Sequence, residues 1–187
     1  MTRRFLPDAL PDGVIDELLD LARRAPSAGF SQGVHFLVLQ GDDLDMFWDV
    51  TGAREWFATT SPGVLSAPVV VVPVADPVAY TVRYSQPDKA GHGLDDAENW
   101  PVPFWLTDAA MAAQNLLLLI EERRLGALLF GIFRGDSELL ARTGAPGGAK
   151  AVGAIAIGYR AADDVVSGSS THRPRRTVTE VIHHGRW

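Results

Sequence analysis

Apolar side chains recur along the chain with two different periods, and these periods divide it into helices and strands. In residues 12–25 they recur every three or four positions, which predicts a helix that Asp12 caps and Pro26 ends. Residues 35–40 (HFLVLQ) predict a buried strand soon after it. The stretch between them, Pro-Ser-Ala-Gly-Phe-Ser-Gln, is short and mostly polar, which makes it a candidate functional loop.

A second apolar run, residues 67–76 (APVVVVPVAD), predicts a strand buried on both faces that ends or bulges at Pro73. Residues 77–104 follow as a long polar connection with several aromatic residues. A connection of this length is either functional or a surface excursion with a short helix. The remaining pattern predicts helices over 43–50, 53–58 and 136–142, strands over 127–133 and 151–160, and a possible edge strand over 177–182 in an extended basic tail.

The longest predicted helix begins at Thr107, a good capping residue, and runs to about Arg124. Gly126 fits the left-handed position that often follows a helix. The helix is apolar nearly all round, which indicates burial in a core or against a partner chain.

Strands that alternate with helices predict a mixed α/β or α+β layered protein. The chain has 187 residues, of which 47% are hydrophobic, and it shows no repeat or linker. We therefore expect a single domain over residues 1–187.

Charge and cysteine content exclude several classes of function. The net charge is −6, and no polybasic segment favours nucleic acid or a membrane surface. The absence of cysteine excludes disulfides, thiolate nucleophiles and cysteine-based metal sites, and it fits a reducing cytoplasm. The N-terminus lacks the apolar segment of a secretory signal, and the most apolar stretch is too short to span a bilayer. We expect a cytoplasmic protein.

Familiar catalytic motifs are absent. The segment Gly-Ala-Pro-Gly-Gly-Ala-Lys lacks the spacing of a phosphate-binding P-loop and is better interpreted as a turn. His183 and His184 are adjacent, so in an extended strand they face opposite sides and cannot bind one metal ion together. Ser27 and Ser31 are loop hydroxyls with no nucleophile elbow around them.

Two arginine clusters at the chain ends suggest an anion site. Arg3 and Arg4 lie at one end and Arg173, Arg175 and Arg176 near the other, and chain ends are often close in a domain. If they meet, they form a clamp suited to one phosphate; otherwise they are two solvated basic ends.

Four stretches, in this order, make the chain resemble the nitroreductase family of flavin enzymes. They are TRRFLPDALPDGVIDELLDLARRAPSAGFSQGVHFLVL, TDAAMAAQNLLLLIEERRLGALLFGIF, AVGAIAIGY and RPRRTVTEVIHHGRW. The resemblance implies an α+β three-layer sandwich with a mostly antiparallel or mixed central sheet and a long central dimer helix. It also implies a homodimer with FMN at its interface.

The resemblance also implies the cofactor-binding residues. Arg3 and Arg4 would meet the FMN phosphate, and the second cluster would close on it from the C-terminal side. The flavin's polar edge and ring would lie against the remaining residues, which are Ser27, Ala28, Phe30, Gln32, Leu129, Phe130 and Gly131.

The chain departs from the family pattern at several of these positions. Met1 stands where the family usually has Ser after a further Arg, which suggests a late start codon or a weakened phosphate site. Phe30 replaces a frequent Asn, and Gly33-Val34 replaces a frequent Pro-Trp. Residues 77–104 are expected to cover the substrate side, with Trp100, Phe104 and Trp105 stacking on a planar acceptor.

The function that the resemblance implies is an FMN-dependent oxidoreductase. NADH or NADPH would reduce the flavin and leave, and a nitroaromatic, a quinone or another small acceptor would follow by a ping-pong mechanism. The flavin carries the chemistry, so no catalytic acid is expected. The alternative is a non-catalytic flavin-binding or sequestering protein of the same fold; a flavin-consuming enzyme and a deazaflavin user are further alternatives.

Overall fold

A five-stranded antiparallel sheet forms the centre of the protein. The computed structural model describes residues 1–165, 168 and 171–187. The strands are β1 (Val34–Gln40), β2 (Val69–Ala75), β3 (Gly126–Phe130), β4 (Lys150–Ala151) and β5 (Ala154–Gly158). They lie in the order β1-β2-β5-β3, and the short β4 pairs with β2.

Seven helices complete the described part of the chain. They are α1 (Val14–Ala22), α2 (Asp42–Val50), α3 (Ala53–Thr60), α4 (Pro77–Tyr84), α5 (Phe104–Glu122), α6 (Asp136–Arg142) and α7 (Val178–Val181). Single 3₁₀ turns lie at Ala28–Phe30, Pro62–Ser66 and Ala97–Asn99.

Helices cover both faces of the sheet and give the three layers that the sequence predicts. Alternate valines of β2 point to opposite faces. Val70, Val72 and Val74 pack against the layer that contains α2, α3 and α6. Val69 and Val71 pack against α1 and α5 on the other face. Every residue of β2 is buried, as its β-branched run predicts.

Pro73 does not end β2, so the first of the two predicted outcomes, an end or a bulge, is wrong; on one side of β2 the pairing shifts by one residue there, as in a bulge. The strand continues to Ala75. On one side of β2, pairing with β5 stops at Val71 and pairing with β4 starts at Val74. Pro73 falls in this gap between partners, where its missing N–H leaves no strand acceptor unpaired.

Three predicted helix ends are wrong by a few residues. Helix α1 begins after Gly13 rather than at Asp12, and α5 begins after Pro103 rather than at Thr107. After α5, the left-handed residue is Arg124, with φ 57°, and Gly126 already belongs to β3. The N–H of Leu125 donates to the carbonyl of Ile120 at 3.0 Å, so a tight C-terminal turn satisfies the helix end without glycine.

Two longer segments also differ from prediction, and the connection 77–104 contains the short helix that one of the two alternatives predicts. Residues 151–160 form two strands, β4 and β5, rather than one. The connection 77–104 begins with a regular helix, α4, capped by the Asp76 side chain. The predicted edge strand over 177–182 is instead the short helix α7, whose Thr177 and Glu180 form a capping box. No helix in the described part of the chain is both long enough and apolar enough to cross a membrane.

The N-terminal segment joins the sheet from outside. The N–H of Thr2 donates to the carbonyl of Ala127 at 2.8 Å, and Phe5 pairs with Arg160 just beyond β5. Because Ala127 is near the start of β3, these bonds place Arg3 and Arg4 at the end of the sheet opposite to Phe130.

Candidate functional site

The polar loop before β1 is a compact turn that closes on itself. The N–H of Gln32 donates to the Ser27 hydroxyl at 3.1 Å, and the Ser31 hydroxyl donates to the Ala28 carbonyl at 2.6 Å. Its backbone is left-handed at Gly29, Phe30 and Gln32, with φ of 59°, 57° and 53°. A left-handed Phe is sterically unfavourable, and contacts from outside the loop add to the backbone bonds that hold this shape from within.

Those contacts come from α4 and α5. The Asp108 carboxylate, in α5, accepts hydrogen bonds from the Ala28 N–H at 2.8 Å and from the Tyr80 hydroxyl at 2.7 Å. Burial, followed by the bond to Asp108, raises the pKa of the Tyr80 phenol, which therefore stays protonated as a donor. The Arg83 Nε donates to the Gly29 carbonyl at 2.8 Å.

Phe30 projects from this loop into solvent. Its exposed fraction is 73%, so the side chain neither packs in the core nor fills a cavity of its own chain. The sequence marks Phe30 as a departure from the family pattern, and the structure shows an aromatic side chain available to a ligand or a second chain.

An apolar cavity of about 340 Å³ lies beyond the end of β3. We call it the apolar cavity. It is lined by Thr51, Gly52, Ala53, Trp56, Phe57 and residues 130–134. The Phe130 ring stacks on Trp48 and meets Phe57 edge-on, which fixes one wall. Within the described residues, the backbone N–H groups of Gly131, Ile132 and Phe133 make no hydrogen bond. The cavity therefore offers apolar walls together with hydrogen-bond donors, as pockets for planar cofactors do.

A second, polar cavity of about 240 Å³ lies where the N-terminal segment crosses the body of the protein. We call it the arginine cavity. It is lined by Arg3, Arg4, Ser61, Pro62, Gly63, Asp163, Asp164 and Val165. Arg4 forms an ion pair with Asp163, and the Arg3 N–H donates to Asp164 at 3.0 Å. Two arginines face two aspartates, so the cavity as it stands carries no surplus of positive charge.

Helix α3 joins the two cavities. Trp56 and Phe57 line the apolar cavity, and Ser61 and Pro62, just past the helix, line the arginine cavity. Eight helical residues span about 12 Å. A ligand with a flat apolar ring at one end and an anion at the other could lie along this helix.

The polar loop lies at the same end of the sheet as the apolar cavity but on the other side. Cross-strand pairing aligns Val38, Val71, Ile155 and Leu129 in one row across the sheet. The start of β1 and the end of β3 therefore lie at the same end of the sheet. The loop contacts α4 and α5, whereas the apolar cavity is built on α2 and α3. A single chain therefore does not bring Ser27, Ala28 and Gln32 onto the cavity that Phe130 and Gly131 line. Leu129, the other predicted ring contact, is absent from the linings of both cavities.

The second arginine cluster lies on the exposed C-terminal segment. Arg173, Arg175 and Arg176 are all exposed, and Arg176 donates to the Glu180 carbonyl at 2.8 Å. They are absent from the lining of the arginine cavity within the described part of the chain. The predicted meeting of the two clusters stays a prediction.

The aromatic residues of the 77–104 connection pack mainly on one another. Trp100 is only 8% exposed, its ring meets those of Tyr80, Tyr84 and Trp105, and its Nε1 donates to the Leu94 carbonyl. Trp100 is therefore a core residue of this segment, and the predicted stacking of its ring on an acceptor is wrong. Phe104 remains partly exposed beside it.

Sequence reasoning missed the residues that hold the loop. Asp108 is the one charged residue in the first half of α5. A single carboxylate among mostly apolar residues indicates a buried polar contact, and this pattern is visible in the sequence. No comparable signal marked Tyr80 or Arg83. No group of residues that could bind a metal ion occurs in the described part of the chain.

Comparison with known proteins gives a consistent result. A sequence profile of the Nitroreductase family matches residues 1–159. No curated protein matches the chain. Among solved structures, NfrA2 of B. megaterium superposes with a TM-score of 0.76 at 19% identity, over 100% of this chain and 70% of that one.

Two further structures cover more of their own length. A nitroreductase-like protein of Streptococcus mutans has a TM-score of 0.71 at 18% identity, over 98% of this chain and 92% of that one. A protein of Desulfovibrio desulfuricans, described as a nitroreductase in complex with FMN, has a TM-score of 0.66 at 24% identity, over 100% of this chain and 91% of that one. These similarities confirm the three-layer α+β fold.

Proposed function

The chain belongs to the nitroreductase family, and we propose that it is an FMN-dependent oxidoreductase that uses NADH or NADPH to reduce a small acceptor such as a nitroaromatic or a quinone. One observation carries the proposal: in a chain of this family, an apolar aromatic cavity and an arginine cavity lie at the two ends of one short helix. FMN has the matching shape, a flat ring joined by a flexible chain to a phosphate.

The apolar cavity fits the flavin ring. Phe57 and Phe130 supply flat apolar walls, and the unbonded N–H groups of Gly131, Ile132 and Phe133 are donors for polar ring atoms. Backbone donors fixed in a water-poor cavity favour negative charge on a bound ring. The residues present therefore suit a cofactor that gains negative charge on reduction.

The arginine cavity fits the phosphate only in part. The guanidinium groups of Arg3 and Arg4 are of the kind that binds phosphate in a bidentate manner, but Asp163 and Asp164 offset their charge. A phosphate dianion needs further cations, and Arg173, Arg175 and Arg176 on the exposed C-terminal segment are available to supply them. We propose that this segment closes over the cavity when FMN binds.

A second copy of the chain would complete the site. Met111 and Leu118 are exposed apolar residues on one side of α5, with the exposed Gln114 between them, and Leu118 is 61% exposed. Exposed apolar residues on one side of a central helix are typical of a covered interface. In a homodimer packed through α5, the polar loop of one chain would reach the apolar cavity of its partner, which a single chain does not allow.

FMN, when bound, supplies the redox chemistry by accepting a hydride equivalent and passing electrons to the acceptor. The chain holds and surrounds it. The backbone donors after β3 would orient the ring, the arginines would hold the phosphate, and the exposed Trp56 and Phe133 at the cavity rim would cover one side of the ring. No side chain is required to transfer a proton.

The purified protein is expected to be yellow, with the flavin absorbance band near ~450 nm, because the chemistry and colour belong to the cofactor. A visible spectrum with and without added FMN tests this directly. Titration with NADH and then NADPH under argon should bleach the band, and a quinone should restore it. A colourless protein that does not bind added FMN would refute the proposal.

The same titration separates the enzyme from a flavin-binding protein without turnover. The exposed, left-handed Phe30 favours this second candidate, because an aromatic side chain at that position can cover a bound ring. Bound FMN that neither nicotinamide reduces would support the second candidate.

Replacing both Arg175 and Arg176 by alanine is expected to weaken FMN binding by more than ~10-fold, because charge-assisted hydrogen bonds to the phosphate are lost. Fluorescence titration of the apoprotein measures this. Riboflavin, which lacks the phosphate, is the matched ligand control and should bind wild type and variant alike. An equal loss for both ligands, or none for FMN, would place the phosphate elsewhere.

A further inference from the structure

Asp108 is a buried carboxylate that the proposed redox cycle does not use. It is 2% exposed and is the one buried acidic residue among those that the structure describes. It lies on α5, between the buried Ala109 and the exposed Thr107. A carboxylate in such surroundings is unfavourable unless hydrogen bonds compensate for lost water.

The compensation comes from two other elements. Both donors, the Ala28 N–H at 2.8 Å and the Tyr80 hydroxyl at 2.7 Å, meet the same oxygen, Oδ2. The Thr107 hydroxyl approaches Oδ1 at 3.4 Å. Asp108 therefore joins α5, α4 and the polar loop at one atom, through charge-assisted bonds that are stronger than neutral ones.

A second contact from α4 holds the next peptide of the loop. The Arg83 Nε donates to the Gly29 carbonyl, while the other guanidinium nitrogens hold Asp88 at 2.7 and 2.8 Å. The Tyr84 ring closes on the α-carbon of Gly29, where a β-carbon would lie 2.7 Å from Cε2. Helix α4 thus contacts the loop directly at Gly29 and is joined to Ala28 through Asp108.

We infer that Asp108 is a positioning residue that fixes the polar loop in its left-handed shape and couples it to the 77–104 connection. Bonds inside the loop close the turn, including those from the Phe30 and Ser31 N–H groups, and the anchors at Ala28 and Gly29 hold this unfavourable backbone against α4 and α5. The contact of the loop with a flavin rests on the proposed function. The positioning of the loop by Asp108 does not rest on it.

The first test uses the protein without flavin. Hydrogen exchange of peptides covering residues 26–33 is measured in wild type, Asp108→Ala and Asp108→Asn. Alanine removes the shared acceptor, and local opening should rise on the order of 100-fold. Asparagine keeps an oxygen for both donors and should restore most of the protection. Unchanged exchange in Asp108→Ala would overturn the inference.

A matched control separates positioning from general weakening. Leu116→Ala creates a cavity in the same helix, but Leu116 packs on the sheet and not on the loop. It should lower global stability without selective exchange in residues 26–33. Equal exchange in the loop for both variants would make Asp108 merely structural and overturn the inference.

If Asp108→Ala does not fold, Tyr80→Phe provides the same test. This variant removes one donor and keeps the ring that packs on Trp100 and Trp105. Exchange in residues 26–33 should rise by about 10-fold, the loss of one charge-assisted bond. No rise in this variant would equally overturn the inference.

The second test uses bound FMN. Asp108→Ala should lower FMN affinity by about 10-fold and shift the flavin absorption maximum, and Asp108→Asn should recover both. If wild type binds FMN and the alanine variant matches it, the link from Asp108 to the site fails. If wild type binds no FMN, the proposed function fails, and the exchange experiment alone decides the role of Asp108.

Discussion

A Leu118→Asp variant is expected to be a monomer that holds no FMN. Leu118 is the most exposed large apolar residue of α5, and it lies with Met111 on the side of the helix that we assign to the second copy. An aspartate there would have to be buried without a partner in the dimer but stays in water in the monomer. In the proposed homodimer the polar loop meets the apolar cavity of the partner, so loss of the dimer should also remove the flavin.

Sedimentation velocity and the visible spectrum of the same sample measure the two losses together. Dimer affinity should fall on the order of 100-fold or more, the scale for an unpaired charge at a covered interface. Ala141→Asp, at an exposed position of α6 on the opposite face, is the control and should remain a yellow dimer. A yellow Leu118→Asp dimer would show that the copies meet through another surface.

The second large effect is expected at Gly135, the residue before α6. Its φ is 73°, and a β-carbon there would overlap the carbonyl oxygen of Val50. Gly144 has the same φ of 73° with nothing within 4 Å, so it isolates the conformational cost. We expect Gly144→Ala to cost about 1 kcal/mol of unfolding free energy and Gly135→Ala about 3 kcal/mol or more.

Urea unfolding at one fixed protein concentration compares the two variants. The Gly135 variant should also bind FMN more weakly, because Gly135 holds the loop 131–134, which lines the apolar cavity, against the end of α2. Equal costs for the two substitutions would mean that this loop can move away from Val50 at little expense.

The architecture was largely predictable because its strongest signals are local. The β-branched run in β2 and the apolar length of α5 each predict a buried element, and both are present. Element ends were less predictable, since capping depends on the backbone path. Asp12 and Thr107 have suitable side chains, but Gly13 and Pro103 occupy the capping positions. In the tail, the Thr177–Glu180 capping box favoured a helix over the predicted strand and was overlooked.

The candidate site was predictable as segments but not as an arrangement. The loop 26–32, the end of β3 and the N-terminal arginines were all identified from the sequence. Which of them share a cavity depends on the layer in which each segment lies, and the local pattern contains no such information. The pairing of Arg4 with Asp163 shows this clearly, because 159 residues separate the two partners.

That separation has a consequence for how the protein acquires its shape. The strand order places β5 between β2 and β3, and the first residues complete the structure by bonding to Ala127, Tyr159 and Ala161. Contacts between such distant residues form slowly, because closing a long loop of chain is entropically unfavourable. On the ribosome, the N-terminal arginines emerge first but must wait for residue 163 before their cavity exists. We expect nascent chains halted before residue 163 to leave this segment exposed to proteases, while the released full-length chain protects it.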